Sequence, residues 1–243
     1  MTPLVIAHRG NSSVAPENTM PALAASVGAD MIEIDLRPTG DGEPLLIHDA
    51  TLHRTSNASG AVADMDAIEI ARVDAGSWFD PAFAGTPMPL LGEVLALMKR
   101  RPGLDLLLEL KAPWDQQSLV RVLTQIGDAG LGERVLVQSA AVNLLQMVRE
   151  LAPDLRRGYL TSTYDAQVRD LCADLGVVAC NPRFSLLLEQ PDVLAEIHAA
   201  GQQVMAWTAN EPSEWASLVD LGVDGIITDR PDRLAGWLAA HNR

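Results

Sequence analysis

The sequence has 243 residues and a formal net charge of −14 at neutral pH, and 48% of its residues are hydrophobic. This acidic balance argues against a protein that grips a nucleic-acid backbone, because such a protein needs a basic face to neutralise phosphates. The two cysteines, Cys172 and Cys180, are too few for a disulfide framework or a thiolate metal site. A small phosphate substrate stays compatible with the charge, since a bound cation and a few basic residues can invert the field inside a cleft.

The first ten residues hold one short apolar strand, without a basic region or a long apolar run. They therefore predict neither a signal peptide nor a membrane anchor. No segment reaches the roughly 18 apolar residues of a membrane span. We expect a cytoplasmic protein without nucleic-acid partners or stable membrane association. Apolar helix faces would serve packing and dimer contacts equally well, so a monomer and a homodimer both stay open.

Short apolar runs of strand length alternate with segments of helical period along the whole chain, which is typical of a parallel α/β fold. The predicted strands are Leu4–Ala7, Met31–Leu36, Pro44–Ile47, Asp105–Leu110, Arg134–Gln138, Arg156–Leu160, Val177–Cys180, Val204–Trp207 and Gly225–Thr228. The predicted helices are Thr19–Val27, Leu91–Arg100, Gln116–Ala129, Ala141–Leu151, Ala166–Leu175, Pro191–Ala200 and Glu214–Leu221. This rhythm predicts a TIM-type (β/α)8 barrel.

Nine strand candidates are one too many for such a barrel. The connection from Leu36 to Glu43 is too short for a parallel crossover, and residues 39–42 have the composition of a turn. We therefore predict that Pro44–Ile47 is the return arm of a hairpin rising above the barrel. A turn centred between Asp41 and Gly42 would place His48 opposite Asp35.

The segment from about Thr51 to Pro89 lacks the barrel rhythm and is rich in Gly, Pro, Asp and Ser, with one short helical piece near Asp66–Val73. It is too long for an ordinary loop and too short for a domain of its own. We predict one barrel domain over residues 1–243, with residues 51–89 inserted over one mouth after the His48 segment.

Functional groups of a β/α barrel gather where its strands end. Glu33 and Asp35 lie two residues apart on one predicted strand and so point to one face, and Glu109 ends another strand. Like charges gathered in this way need a compensating cation or proton. Oxygen ligands favour one divalent cation, Mg²⁺ or Ca²⁺, with Mn²⁺ as a third candidate, over zinc. The alternative is a structural salt-bridge network of these acids with Arg9, Arg37 and Lys111.

Two histidines are predicted at the same mouth. His8 follows the first predicted strand and precedes Arg9 and Gly10, and the glycine permits close backbone approach by a ligand. A lone histidine at a strand end is more often a hydrogen-bonded rim residue, but the hairpin adds His48. Displacement at a phosphate needs one group to remove a proton from the nucleophile and another to protonate the leaving oxygen. The pair is therefore a candidate acid/base set.

These residues belong to a longer ordered set of motifs. The set is His8-Arg9-Gly10, Pro16-Glu17-Asn18-Thr19, Gly28-Ala29-Asp30 with Glu33-Ile34-Asp35, Thr39-Gly40-Asp41-Gly42, His48-Asp49, Leu52 with Arg54-Thr55, Glu109-Leu110-Lys111, Trp207-Thr208 and Asp224-Gly225-Ile226-Ile227-Thr228-Asp229 with Pro231. In this order it resembles the glycerophosphodiester phosphodiesterase family, within the phosphatidylinositol phospholipase C-like superfamily. The resemblance spans essentially the whole chain, and its many motifs together are very specific.

The resemblance implies a barrel enzyme of lipid and glycerol metabolism that hydrolyses glycerophosphodiesters to glycerol 3-phosphate and an alcohol. It also implies metal binding by Glu33, Asp35 and Glu109 and acid/base catalysis by His8 and His48. One departure is visible after Gln138-Ser139, where the family commonly has an aromatic residue and this chain has Ala140. A wider pocket floor and altered alcohol selectivity are expected from it.

The mechanism expected on this basis is attack by the glycerol 2-hydroxyl, formation of a cyclic phosphate, and its opening by water. His8 would take the hydroxyl proton and His48 would protonate the departing alcohol. The expected phosphate and substrate contacts come from Arg9, Lys111, Glu17, Asn18 and Trp207. Asp49 is expected to orient His48, and Asp229 is interpreted as the N-cap of the last helix.

Two alternatives remain at this stage. A lysophospholipase D or phospholipase C-type enzyme would use the same barrel and metal on a lipid diester, and Trp78, Phe79 and Phe83 of the insertion are the candidate apolar patch for it. A non-catalytic barrel that binds phosphodiesters or metal is the second alternative. Activity on water-soluble glycerophosphocholine against long-chain lysolipid separates the first alternative from the main prediction. Metal-dependent turnover of any glycerophosphodiester excludes the second.

Overall fold

The computed structural model describes residues 2–241. Within them eight parallel strands form a barrel, and a ninth strand pairs with one of these outside the barrel. The strands are β1 (Leu4–Ala7), β2 (Met31–Pro38), β3 (Pro44–Leu46), β4 (Asp105–Leu110), β5 (Val135–Ser139), β6 (Arg156–Thr161), β7 (Ala179–Pro182), β8 (Met205–Ala206) and β9 (Gly225–Thr228). Around the barrel the order is β7-β6-β5-β4-β2-β1-β9-β8. The predicted (β/α)8 barrel is confirmed.

The barrel is nearly closed between β7 and β8. These two strands meet through the isolated parallel bridges Ala179–Gln203 and Arg183–Trp207, supported by a bond from Cys180 N to Gln203 O of 2.9 Å. The prediction that β7 begins at Val177 is wrong by two residues. Val177 N instead donates to Cys172 O at 3.2 Å, so this residue belongs to the turn that ends the preceding helix.

Helices follow most of the strands and cover the outside of the barrel, apart from one short helix in the segment after β3. They are α1 (Met20–Ala24), α2 (Ala67–Ile70), α3 (Leu91–Arg100), α4 (Gln116–Ala129), α5 (Val142–Leu151), α6 (Ala166–Leu175), α7 (Phe184–Glu189), α8 (Asp192–Ala199), α9 (Pro212–Leu221) and α10 (Pro231–His241). The local sequence sets their ends: the Asp115 carboxylate accepts from Ser118 N to start α4, and Gly130 ends it at φ 68°. Each helix in the part of the chain that the structure describes is too short or too polar to cross a bilayer.

The barrel interior is apolar at the amino-terminal end of the strands and polar at the other end. The apolar layer is Ile6, Met31, Leu107, Leu136, Ala179, Met205 and Ile227. Side chains alternate along a strand, so the residue two positions further on also faces inward. From Met31 this step reaches Glu33 and from Leu107 it reaches Glu109; from Ile6 it reaches His8, just past the end of β1. The fold therefore places the predicted acids and one histidine at the same mouth.

The hairpin is confirmed, but its predicted register is wrong by one residue. β3 runs antiparallel to β2 with Leu46 opposite Leu36, and Ile47 N donates to Asp35 O at 3.1 Å. The turn centres on Asp41 rather than between Asp41 and Gly42, so Ile47 takes the place expected for His48. His48 follows at the next position and still reaches the mouth.

The segment between β3 and α3 packs against the hairpin. Leu45 and Ile47 form a small hydrophobic cluster with Leu52, Val62 and Ile70, which anchors the segment beside the mouth. It contains α2, whose N-terminus is closed by reciprocal bonds between Asp66 and Glu69.

Candidate active site

Three buried carboxylates converge inside the mouth. Glu33 and Asp35 project from β2 and Glu109 from β4, and the strand register puts Asp35 beside Glu109. One oxygen of each carboxylate lies within 4.8 Å of the other two. Their exposed fractions are 1% for Glu33, 1% for Asp35 and 7% for Glu109, so solvent does little to screen their repulsion.

Two cationic side chains form ion pairs with this acidic cluster, and one amide donates a hydrogen bond to it. Arg9 Nε lies 3.0 Å and Lys111 Nζ 3.2 Å from oxygens of Asp35, and Lys111 Nζ lies 2.5 Å from Glu109. Asn18, at φ 54°, donates from Nδ2 to Asp35 at 2.9 Å. The alternative salt-bridge network is therefore present with Arg9 and Lys111, but Arg37 donates instead to the carbonyls of His48 and Ala112.

The charges do not balance within these contacts. Burial, together with the charges of Asp35 and Glu109, raises the pKa of Glu33 well above its ordinary value. Burial also opposes ionisation of Asp35, but the charges of Arg9 and Lys111 outweigh it and lower the pKa of that carboxyl. Three ionised carboxylates against two paired cations would leave one negative charge in excess among the described contacts, and either a proton on Glu33 or a bound cation removes it.

The cluster fits a hard divalent cation. Oδ1 of Asp35 is buried and accepts no hydrogen bond in the described structure, although Lys111 lies near it. Buried polar atoms normally have a partner, so this oxygen is available as a ligand. The donor set consists of carboxylate oxygens, which suits Mg²⁺, Ca²⁺ or Mn²⁺.

His8 is bound to Asp229 across the seam between β1 and β9. Its Nδ1 lies 2.6 Å from Asp229 Oδ1, and the same carboxylate accepts from Ser12 Oγ at 3.0 Å and from Asn210 Nδ2 at 2.7 Å. Despite burial, these bonds and His8 lower the pKa of Asp229 to about 2. The N-cap interpretation of Asp229 is wrong, because α10 begins at Pro231 and Arg230 O accepts the first helical bond, from Leu234 N.

His48 has a carboxylate partner of its own, and that partner is its neighbour Asp49. His48 Nδ1 lies 2.8 Å from Asp49 Oδ1. Burial lowers the pKa of His48, and the negative charge of Asp35 only partly opposes this. Both imidazoles thus have a carboxylate at Nδ1, so any proton transfer by either ring would use Nε2.

A cavity of about 250 Å³ joins these groups. Its lining residues are His8, Arg9, Glu33, His48, Glu109, Lys111, Gln138, Leu160, Trp207, Thr208 and Ile227. A larger cavity of about 550 Å³ lies between the hairpin turn and the start of α4, but its lining includes none of the predicted site residues. The smaller cavity is therefore the candidate active site.

Some predicted site residues lie behind this cavity rather than in its wall. Glu17 contacts Arg9 at 2.7 Å, and Asp49 contacts His48, so both act on residues that line the cavity. Trp207 lines it directly, with Nε1 donating to Asn181 O at 2.9 Å. Ala140 is exposed beyond β5 and is not in the lining, so its small side chain does not widen the floor.

The aromatic residues of the insertion form a separate cluster. Phe79 makes edge contacts with Trp78 and Phe83, each with ring centroids 5.7 Å apart. Trp78 is 39% exposed, and its Nε1 donates to Ala75 O. This cluster is not in the wall of the active-site cavity.

Comparison with solved structures defines the class as barrel phosphodiesterases. A phosphodiesterase from Oleispira antarctica, solved in complex with the product sn-glycerol-3-phosphate, superposes with a TM-score of 0.92 at 28% identity and covers 98% of this chain and 97% of its own. A glycerophosphodiester phosphodiesterase from Agrobacterium tumefaciens gives a TM-score of 0.85 at 30% identity, covering 97% of this chain and 100% of its own.

Sequence comparison then gives the family. The sequence model of the glycerophosphoryl diester phosphodiesterase family matches residues 8–233. A glycerophosphodiester phosphodiesterase from Caldanaerobacter subterraneus is 33% identical over 241 residues, covering 96% of this chain and 97% of the relative. The chain belongs to the glycerophosphoryl diester phosphodiesterase family and is an enzyme, which sets aside the non-catalytic alternative.

Proposed function

We propose that this protein hydrolyses water-soluble glycerophosphodiesters to glycerol 3-phosphate and an alcohol, with one divalent cation held by Glu33, Asp35 and Glu109. The observation that supports this most is the approach of three buried carboxylates within 4.8 Å of one another, beneath a cavity that His8 and His48 also line. His8 and Arg9 line both this cavity of about 250 Å³ and an adjacent one of about 450 Å³, and together these have room for a small diester with its alcohol. The product bound by the Oleispira relative agrees with this choice.

The cation, when bound, would neutralise the excess negative charge and lower the pKa of the substrate hydroxyl. Arg9 and Lys111 line the cavity beside the acids and would hold phosphate oxygens by charge-assisted hydrogen bonds. Glu17 would fix the Arg9 guanidinium, and Trp207 would pack against the glycerol carbons. The substrate would thus be bound both at its phosphate oxygens and at its glycerol carbons.

The two histidines would carry the protons. His8 Nε2 would accept the proton of the glycerol 2-hydroxyl as that oxygen attacks phosphorus, and the Asp229 carboxylate would stabilise the resulting imidazolium. His48, oriented by Asp49, would donate a proton to the leaving alcohol. The bond to the alcohol breaks and a cyclic phosphate remains. Water then opens the ring with the histidines in exchanged roles, which regenerates both.

We also propose that residues 1–243 act as a single phosphodiesterase domain, in the cytoplasm, as a monomer or a homodimer. The packing of residues 51–89 against the hairpin supports the single-domain part of this proposal.

Cation dependence tests the proposed function. Treatment with a chelator is expected to reduce turnover of glycerophosphocholine at least about 100-fold, because a metal supplies several kcal/mol of charge stabilisation. Adding Mg²⁺, Ca²⁺ or Mn²⁺ singly should restore it, on choline, ethanolamine and glycerol diesters alike. Full activity in chelator would overturn the cation, and turnover of long-chain lysolipid alone would overturn the substrate class.

A substrate without the attacking hydroxyl tests the cyclic route. The 2-deoxy diester is expected to resist hydrolysis, whereas the matched 1-deoxy diester, which keeps the 2-hydroxyl, should be cleaved. Phosphorus NMR of the products should show a cyclic phosphate early in the reaction of the parent diester. Equal rates on the parent and 2-deoxy diesters would contradict internal attack and favour direct attack by water.

A further inference from the structure

We propose that Arg54, a residue of the insertion, is a positioning residue that fixes the orientations of both His48 and Arg9. The inference rests on the proposed function, because it assumes that these two residues act on the substrate. Arg54 does not line the cavity. It acts through Asp49 and Glu17, which stand behind His48 and Arg9 respectively.

The guanidinium of Arg54 spans two carboxylates from different loops. On one side Nε donates to Asp49 Oδ2 at 2.7 Å and Nη2 to Asp49 Oδ1 at 3.0 Å. On the other side Nη1 donates to Glu17 Oε2 at 2.7 Å and Nη2 to Glu17 Oε1 at 2.9 Å. All three nitrogens are used, in the forked geometry that only arginine provides.

The first branch ends at the proton donor. Asp49 Oδ1 accepts from Arg54 and lies 2.8 Å from His48 Nδ1. The bonds from Arg54 are the largest cause of the lowered pKa of Asp49. A carboxylate that is fixed in place and fully ionised keeps the imidazole in one orientation and one tautomer. Without Arg54 the Asp49 side chain can rotate, and the orientation and tautomer of His48 are no longer fixed.

The second branch ends at the phosphate-binding arginine. Glu17 Oε1 accepts from both Arg54 Nη2 and Arg9 Nη1, the latter at 2.7 Å. Burial opposes ionisation of Glu17, but its bonds to Arg54 and Arg9 lower its pKa. If Arg54 is removed, Glu17 pairs with Arg9 alone. Its carboxylate then competes with the phosphate for the Arg9 guanidinium. Weaker binding of the diester should follow.

The competing interpretation is a surface salt bridge. The Arg54 side chain is 44% exposed, and exposed ion pairs contribute little to stability. A stabilising role of that size would affect folding slightly and turnover not at all. The positions of its partners point elsewhere, because Glu17 is only 13% exposed and each partner bonds a residue of the cavity wall.

The test compares Arg54→Ala, Arg54→Lys and Arg72→Ala in the metal-loaded enzyme. Arg72 is an exposed arginine of the same insertion and is the matched control. For the choline diester we expect kcat/KM of Arg54→Ala to fall roughly 10- to 100-fold, the usual effect of losing a residue that orients an active-site group. Both kcat and KM should change. Arg54→Lys should resemble Arg54→Ala, since one ammonium cannot serve both carboxylates.

The leaving group separates the two branches. A 4-nitrophenyl diester releases a stable anion without help from an acid, so the kcat of Arg54→Ala should fall much less on it, while the rise in KM persists. Added guanidinium ion should restore part of the activity of Arg54→Ala. Arg72→Ala should match the wild type in each measurement, and thermal unfolding confirms that the variants are folded.

Three results would overturn the proposal. They are wild-type kinetics for Arg54→Ala, full activity for Arg54→Lys, and an equal loss of kcat on both diesters at unchanged KM, as a smaller folded fraction would give. Failure of the proposed function itself is a different outcome, since the wild-type enzyme would then turn over neither diester.

Discussion

Replacing Glu33 with Gln should abolish turnover and yet stabilise the enzyme in chelator. The carboxylate is 1% exposed, and burial with the charges of Asp35 and Glu109 raises its pKa. The metal-free fold therefore takes up a proton that the unfolded chain releases, and wild-type stability falls as pH rises from the ordinary glutamate range through the folded pKa. Glu33→Gln removes this penalty and keeps an oxygen to accept from Arg9 N, which donates to Glu33 at 2.9 Å.

The expected result has two measurable parts. At neutral pH in chelator, the melting temperature of Glu33→Gln should exceed that of the wild type by roughly 2–4 °C, the shift that about 1 kcal/mol causes in a domain of this size. With saturating cation, turnover should fall about 1000-fold or more, because the charge stabilisation by the metal is worth several kcal/mol.

Cation-induced stabilisation provides the control. A cation that binds only the folded state raises the melting temperature by mass action, so the wild type and Glu189→Gln, at an exposed position on α7, should both respond. Glu33→Gln should respond far less. An undiminished response would remove Glu33 from the ligand set, and a lower melting temperature in chelator would contradict the repulsion argument.

Local signals predicted most of the barrel, and tertiary contacts explain where they failed. The bounds of α3, α4 and α6 were predicted without error, because their ends are fixed by nearby residues such as Asp165, whose carboxylate accepts from Val168 N. The hairpin register depended on which turn residues lie at the centre, and composition does not fix that. Helix α7 was missed because it is short and directly follows a strand; its start at Phe184 is held by a bond to Trp207 O, 23 positions along the chain.

In the candidate site, too, local sequence signals predicted some residues and only tertiary contacts reveal the others. Strand alternation alone grouped Glu33 with Asp35, and the strand-end rule added Glu109 and His8. The contact of Asp229 with His8 was missed because the two residues are 221 positions apart in sequence, and only the pairing of β1 with β9 brings them together. Asn210 was missed for the same reason, since its position after β8 carries no pattern of its own.

Replacing Asp229 with Asn should reduce kcat by about 10²- to 10⁴-fold, the usual contribution of a positioned acid/base group, with little change in KM. The amide of Asn210 cannot reverse, because its Oδ1 accepts from Asp229 N at 2.9 Å and from Thr228 Oγ1 at 3.0 Å. Asn210 Nδ2 therefore still needs a hydrogen-bond acceptor at position 229. The substituted side chain must turn its oxygen toward Asn210 and its NH₂ toward His8 Nδ1.

This forced orientation inverts the proton positions on His8. Facing a donor, Nδ1 becomes the acceptor, and the proton moves to Nε2, where it blocks removal of a proton from the substrate. Asp224→Asn is the matched control, since Asp224 binds His198 at 2.8 Å but precedes β9, at the opposite end of the barrel. Its kcat should stay unchanged. An equal loss in both variants would show that a weakened fold, and not the tautomer of His8, lowers the rate.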